Sequence, residues 1–186
     1  MKFVKLMCVL GSYFDEDPLY PWAAHILADD TLPSPFIRLH NLYRTAAGFL
    51  EQTAGANGEH YRRALVRVRS MPYEELVRGR SDDEGAGIQA LLYEVYPEHY
   101  RTLAQDTFQA LESLARSKVQ AHGLESREGL LTYILLMFMV GSHFDRDPLH
   151  PWVSPVLALQ ADPRSKSLQL YAAAMDRLDV YKIVDR

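Results

Sequence analysis

The chain has almost no cysteine. A single thiol, Cys8, excludes an intramolecular disulfide, which fits a reducing, cytoplasmic setting. Cys8 lies in a short apolar run, and the second copy of a repeat described below has Phe138 at the same place. We therefore expect Cys8 to be a small buried apolar side chain and not a catalytic thiol.

Long apolar runs and an excess of one charge are also missing. The longest apolar stretch, residues 130–140, is about half the length of a membrane span, so we expect a buried central helix there. A net charge of −4 gives no reason to expect nucleic acid or an anionic membrane as a partner. The first residues carry two lysines before an apolar run but no convincing cleavage site, so we expect no export.

Familiar catalytic motifs are absent as well. The histidines outside the repeat are scattered and form no metal-binding pair. Residues 85–87 are glycine-rich but lack the preceding strand and the Lys-Ser/Thr of a phosphate loop, and no Gly-x-Ser-x-Gly elbow occurs. We predict no catalytic residue and no cofactor.

What the chain does contain is a repeat. Residues 6–22 return at 136–152, an offset of 130 without a gap, and eleven of the 17 positions are identical. Residues 42–47 and 170–175 resemble each other at an offset of 128, so the repeated unit is longer than its most obvious part. Two copies so far apart indicate a duplicated structural unit, not a solenoid.

Helical spacing dominates the rest, and no segment alternates like a strand. We predict an all-α single domain, residues 1–186, in which two pseudo-equivalent arms at about 1–54 and 127–186 surround a central section at about 59–122. The charged segment 78–87 is the best candidate for a mobile loop. The predicted helices are 1–13, 21–30, 35–54, 59–70, 72–78, 86–95, 97–122, 127–141, 151–160 and 165–182.

The repeated loop itself is first interpreted as architecture. Glycine ends a helix, aspartates accept hydrogen bonds in turns, prolines stiffen the chain, and large apolar residues (Leu149 among them) anchor the loop in the core. The residues assigned to this structural role are Gly11, Phe14, Asp15, Asp17, Pro18 and Trp22, with Gly141, Phe144, Asp145, Asp147, Pro148 and Trp152.

A metal-dependent enzyme is the alternative interpretation of the second loop. Its candidate ligands are His143, Asp145, Asp147 and His150, whose carboxylates and imidazoles suit a divalent cation. The first loop has tyrosines where the second has these two histidines, and neither loop has the glycine and glutamate of an EF-hand.

Two helix faces are candidates for binding another protein. One is basic and the other is rich in aromatic residues, a composition that favours a protein interface over a cofactor site. Their residues are Arg62, Arg63 and Arg67 on the first face, and Tyr93, Tyr96 and Tyr100 on the second.

The Gly-Ser-x-Phe-Asp-x-Asp-Pro-Leu-x-Pro-Trp pattern at residues 11–22 and 141–152 resembles one found in small uncharacterised helical proteins of Gram-negative bacteria. These accessory proteins tend to be associated with type VI secretion effectors. The resemblance implies a cytoplasmic chaperone, co-adaptor or immunity-type protein, and brings no catalytic residues with it. We therefore predict a non-enzymatic protein whose partner is another protein, with a secreted effector or toxin as the candidate. A homodimer formed through the two arms is a further possibility.

Overall fold

The fold is all-α, as the sequence predicts. A computed structural model describes residues 2–32, 34–78 and 81–178, and this part of the chain contains helices and no strand. The helices are α1 (Lys2–Leu10), α2 (Pro21–Ala28), α3 (Pro35–Ala54), α4 (Glu59–Ser70), α5 (Tyr73–Val77), α6 (Glu84–Val95), α7 (Pro97–Tyr100), α8 (Gln105–Ala121), α9 (Arg127–Val140), α10 (Val153–Leu157) and α11 (Pro163–Leu178).

Helix boundaries are clearest where the sequence supplies caps. The Ser34 hydroxyl accepts a hydrogen bond from the Ile37 amide at the start of α3, and Pro35 occupies the first turn. The Ser126 hydroxyl does the same for Gly129 at the start of α9. These caps explain why the predicted starts at residues 35 and 127 are confirmed.

The single helix predicted over 97–122 is wrong, because the chain breaks after Tyr100 and resumes at Gln105. The amide and hydroxyl of Thr102 both donate to the carbonyl of His99, and the Leu103 amide donates to the carbonyl of Tyr100. A continuing α-helix would need the His99 carbonyl for Leu103. No glycine or proline marks this break, so the sequence carries no visible signal for it.

Smaller corrections concern the segment 78–87 and the last two helices. Residues 84–87, predicted as part of a mobile loop, are the first turn of α6, which Asp83 caps by accepting from the Ala86 amide. Residues 79 and 80 lie outside the described residues. The short helix predicted over 151–160 is only α10, and the part of the last helix predicted beyond residue 178 lies outside the described residues.

Helix α9 is the centre of the core. All its side chains from Leu130 to Met139 are buried, and it packs against α5, α6, α8 and α11. Its mainly apolar sequence on every side explains this position. Among the described residues, no helix is both long enough and apolar enough to span a bilayer.

The arms of the repeat use equivalent elements. Helices α1, α2 and α3 form the first arm, and α9, α10 and α11 form the second. Leu42 and Ala46 on α3 are fully buried, as are their counterparts Leu170 and Ala174 on α11. The two arms nevertheless differ in their surroundings, because the central section packs on α9 whereas α1 packs mainly against α3.

Candidate functional site

The two repeated loops meet and exchange hydrogen bonds. The Asp17 carboxylate accepts from the amide and hydroxyl of Ser142, with a distance of 2.7 Å to the amide nitrogen. In return, the Asp147 carboxylate accepts from the amide and hydroxyl of Ser12 at 2.8 and 2.7 Å. The same two bonds therefore occur twice, related by an approximate two-fold axis between the loops.

Each of these aspartates also closes its own turn. Asp17 accepts from the Leu19 amide at 2.9 Å, and Asp147 accepts from the Leu149 amide at 2.8 Å. The amides of Ser12 and Ser142 are free to cross over because Gly11 and Gly141 leave their helices with φ of 96° and 106°. The Asp-Pro-Leu turn and the glycine before it thus act together as one junction.

Positions that differ between the copies contact each other across this axis. The rings of Tyr13 and His143 lie 5.9 Å apart, and Glu16 forms an ion pair with Arg146. The Arg146 guanidinium also lies 4.0 Å from the centroid of the Tyr13 ring. Residues 13 and 16 are the sequence equivalents of residues 143 and 146, so each position faces its own counterpart.

The other two aspartates of the motif have different surroundings. Asp145 accepts hydrogen bonds from Lys118 at 2.6 Å and from His122 at 3.0 Å, both near the end of α8. Burial opposes ionisation, but these two donors prevail and lower the pKa of Asp145 to about 2. Asp15, its counterpart, makes no hydrogen bond or ion pair within the described residues. The prediction that Asp15 and Asp145 stabilise turns is wrong, because neither bonds to its own loop.

Large apolar residues of the motif are placed unevenly. Phe14 and Phe144 are fully buried and contact the equivalent rings of Phe3 and Tyr133. Trp22 and Trp152 are only half-buried, and Pro148 is exposed. Leu149, expected to anchor the second loop in the core, is exposed, whereas Leu19 is buried. The anchoring prediction is therefore wrong for Leu149.

The four candidate metal ligands of the second loop point to different neighbours. Asp147 binds Ser12, Asp145 binds Lys118 and His122, and His143 faces the first loop. His150 bonds to the backbone of Val140, and burial lowers the pKa of its imidazole. Over the part of the chain that the structure describes, no group of three potential ligands is arranged to hold a metal ion.

The predicted protein-binding faces are divided by the fold. Arg62 and Arg63 are exposed, but Arg67 is half-buried and donates to the Val95 carbonyl at 3.2 Å. Tyr93 is exposed and Tyr100 is half-buried. Tyr96 is buried and its hydroxyl donates to the Thr53 carbonyl, so its assignment to a surface stripe is wrong.

A surface that the sequence did not indicate lies on α1. Val4 and Val9 are 60% and 61% exposed, and Cys8 is exposed too, which corrects its prediction as buried. Their counterparts on α9 are Ile134, Met139 and Phe138, which are 0%, 6% and 1% exposed. The first arm therefore leaves open an apolar helix face that the second arm covers.

Beside this face is a cavity of about 470 Å³. It lies where α1, α3 and α9 end, and its walls are mainly apolar and aromatic. Cys8 and Val9 form one edge, Leu149 another, and His99 and Tyr96 lie deeper. Its size is in the range of small-molecule sites in proteins.

No protein-family model, curated protein or solved structure matches this chain.

Proposed function

We propose that this protein is a non-enzymatic accessory that binds another protein through the exposed face of α1. The observation that carries the proposal is the contrast between the two arms. Val4 and Val9 are more than half exposed, whereas Ile134 and Met139 at the same positions of α9 are buried. Adjacent exposed apolar side chains are a common mark of protein interaction sites.

The second arm indicates what kind of segment fits the first. Helix α8 packs on α9 through a buried apolar side that includes Phe108, Leu111 and Ala115. Its end brings Lys118 and His122 to Asp145. A partner helix lying on α1 as α8 lies on α9 would bring its own last turn to Asp15, which has no ion-pair partner in the described structure. The proposed occupant is therefore an amphipathic helix with a basic residue near its C-terminal end.

The resemblance of the two loop motifs to those of accessory proteins of type VI secretion effectors suggests where such a partner comes from. We propose a secreted effector or toxin as the partner and the bacterial cytoplasm as the place of binding. The proposed role is that of a chaperone, a co-adaptor or an immunity-type protein that holds this partner.

Site-specific crosslinking from Cys8 tests the docking surface, since Cys8 is the only cysteine and lies on the exposed face. The full chain, labelled at Cys8 with a photoreactive maleimide, is expected to crosslink to a helical segment of a protein encoded beside it. The matched control carries Cys8→Ser and Val66→Cys, because Val66 is similarly exposed on α4. Equal crosslinking from both positions, or none from Cys8, contradicts the proposal.

Charge substitutions add a second test. Val4→Asp and Asp15→Lys are each expected to weaken partner binding at least tenfold, because each places an unfavourable charge in the contact. Val66→Asp is the control and should leave binding unchanged. Light scattering of the purified chain tests whether a second copy of this chain, instead of a different protein, covers the face. A dimer that Val4→Asp converts to monomer would show that a second copy covers this face, and would overturn the proposed partner.

A further inference from the structure

The carbonyl groups at the end of α9 are capped by side chains around the cavity. The last carbonyls of a helix have no partner within the helix and need outside donors when they are buried. The Ser142 amide, which would normally bond to Phe138, is instead bound to Asp17. The His99 ring bonds to the Phe138 backbone, the Tyr61 hydroxyl donates to the Met139 carbonyl at 3.3 Å, and His150 bonds to the Val140 backbone.

The end of α1 has no such donors. The Ser12 amide is bound to Asp147, and no described residue donates to the carbonyls of Cys8, Val9 or Leu10. These three residues line the cavity. The end of α1 beside the cavity therefore has three carbonyl acceptors without a donor among the described residues, at the negative end of a helix dipole.

His99 lies at the inner wall of the cavity and adds no positive charge to it. His99 is 4% exposed, and its Nε2 atom is buried without a hydrogen-bond partner. Burial lowers the pKa of His99 to about 3, so the imidazole is neutral near pH 7.

The remaining walls favour a cation with an apolar body. Helices α3 and α9 also end at the cavity, at Ala54 and Val140, and add their negative dipole ends. Tyr20, Phe49 and Phe138 contribute aromatic rings, which attract organic cations. The described residues around the cavity include no lysine or arginine to repel such a group and no carboxylate to neutralise it.

From this arrangement we propose that the cavity binds a small organic cation, an amine with an apolar body, whose N–H groups bond to the α1 carbonyls. The site shares Cys8 and Val9 with the proposed partner-binding surface, whereas Val4 belongs to that surface alone and does not line the cavity. It requires no protein partner, so this proposal stands or fails independently of the one above.

Protection of Cys8 from alkylation measures occupancy directly. The full chain is treated with iodoacetamide in the presence of octylammonium, octanol or octanoate, each below its micelle concentration. Octylammonium is expected to slow the alkylation of Cys8, with an effect that levels off once the cavity is saturated. It should bind about tenfold tighter than octanol, because the helix dipoles and the cation–π contacts together favour a cation by a free energy of that size. Octanoate is expected to bind weakest. Equal protection by all three ligands, or strongest protection by octanoate, overturns the proposal.

Two matched variants separate the cavity from its surroundings. Ala54→Trp fills the cavity and is expected to abolish octylammonium binding measured by titration calorimetry, whereas Ala47→Trp, on an exposed position of the same helix, should retain it. Thermal unfolding checks that both variants fold. A Cys8→Ser, Val4→Cys variant adds a control for the alkylation assay, because its thiol lies outside the cavity and should not be protected. Retained binding in a folded Ala54→Trp variant, or equal protection at residue 4, contradicts the assignment.

Discussion

The loops at residues 11–22 and 141–152 share nine of twelve residues in sequence order, yet they are not interchangeable. Some shared residues make the same contacts on both sides of the axis, as Asp17 with Ser142 and Asp147 with Ser12 do, but Asp15 and Asp145 do not. Residues that differ either meet their own counterparts, as Glu16 and Arg146 do, or face different surroundings. A glutamate at both positions would place like charges together, so complementarity across the axis explains why this pair is not identical.

Removing Asp17 or Asp147, whose hydrogen bonds cross between the loops, should have the largest effect on stability. The loss should be greater for Asp17 than for Asp147. The bonds of Asp17 to Ser142 are buried, and burial raises the pKa of Asp17, whereas the bonds of Asp147 to Ser12 are only partly buried. We expect Asp17→Ala to lower the free energy of unfolding by about 3–5 kcal/mol, because it leaves buried donors unpaired. Asp147→Ala should cost about 2 kcal/mol, since water can replace part of the carboxylate.

Urea unfolding followed by circular dichroism measures both losses. Ser142→Ala is a suitable control, because it removes one hydroxyl and leaves the carboxylate bound to two amides. Its cost should be smaller than that of Asp17→Ala. Equal losses for the two aspartate variants would mean that the junction is symmetric in energy as well as in geometry.

The next comparison is between Asp145 and Asp15, and it uses the dependence of folding stability on pH. The folded pKa of Asp145 is about 2, below its ordinary value of 3.8, so its ionised form stabilises the fold above about pH 4. This contribution, about 2 kcal/mol, is lost as the pH falls from about 4 to about 2. Asp145→Asn should therefore be less stable than wild type at pH 7 and lose less stability on acidification.

The control for this measurement is Asp15→Asn. Asp15 has no hydrogen bond or ion pair in the described structure, so its variant should unfold within about 0.5 kcal/mol of wild type at pH 7. This variant keeps Asp145 with Lys118 and His122, so it should still lose the stability that Asp145 contributes when the pH falls. An acid response of Asp15→Asn as flat as that of Asp145→Asn would show that α8 is not the source of the difference.

Glycine substitutions test what the two loops have in common. Gly11 and Gly141 both have positive φ, and a Cβ on Gly11 would lie 3.3 Å from the Asp147 carboxylate. We expect Gly11→Ala and Gly141→Ala to cost about 1–3 kcal/mol each. Gly48→Ala, in the middle of α3 with no atom within 4 Å of its Cβ, should instead stabilise by about 0.5–1 kcal/mol. Thermal or urea unfolding distinguishes these outcomes, and a mild effect at Gly141 alone would contradict equivalence.

Sequence reasoning succeeded where a local signal decides the structure. Ser34-Pro35 and Ser126 mark the starts of α3 and α9, and the boundaries follow. It failed at Thr102, where a side-chain bond to His99 breaks the helix without glycine or proline. It also failed at Cys8, because burial of an apolar run depends on which elements pack against it. Both copies have such a run, but the central section packs mainly on the second of them.

The hydrogen bonds that cross between the two loops could not be predicted from the sequence either. The sequence shows that Asp17 and Asp147 suit turns, and each does accept from the amide two residues later. That each also binds the serine of the other copy depends on the two loops meeting about an axis. Identical motifs at a distance of 130 residues indicate duplication, but duplicated units need not touch.

The smallest effect belongs to the pair that distinguishes the loops most clearly. Glu16 and Arg146 are exposed, so their ion pair should contribute about 0.5 kcal/mol in a double-mutant cycle of Glu16→Arg and Arg146→Glu. Arg146→Glu should cost more than Glu16→Arg, because it also removes the guanidinium from the Tyr13 ring. The exchanged double variant regains an ion pair but places its arginine opposite His143 instead of Tyr13. Incomplete recovery in urea unfolding would show that residues 13 and 16 of one loop complement 143 and 146 of the other as a set. Full recovery would reduce the difference between the loops to charge alone.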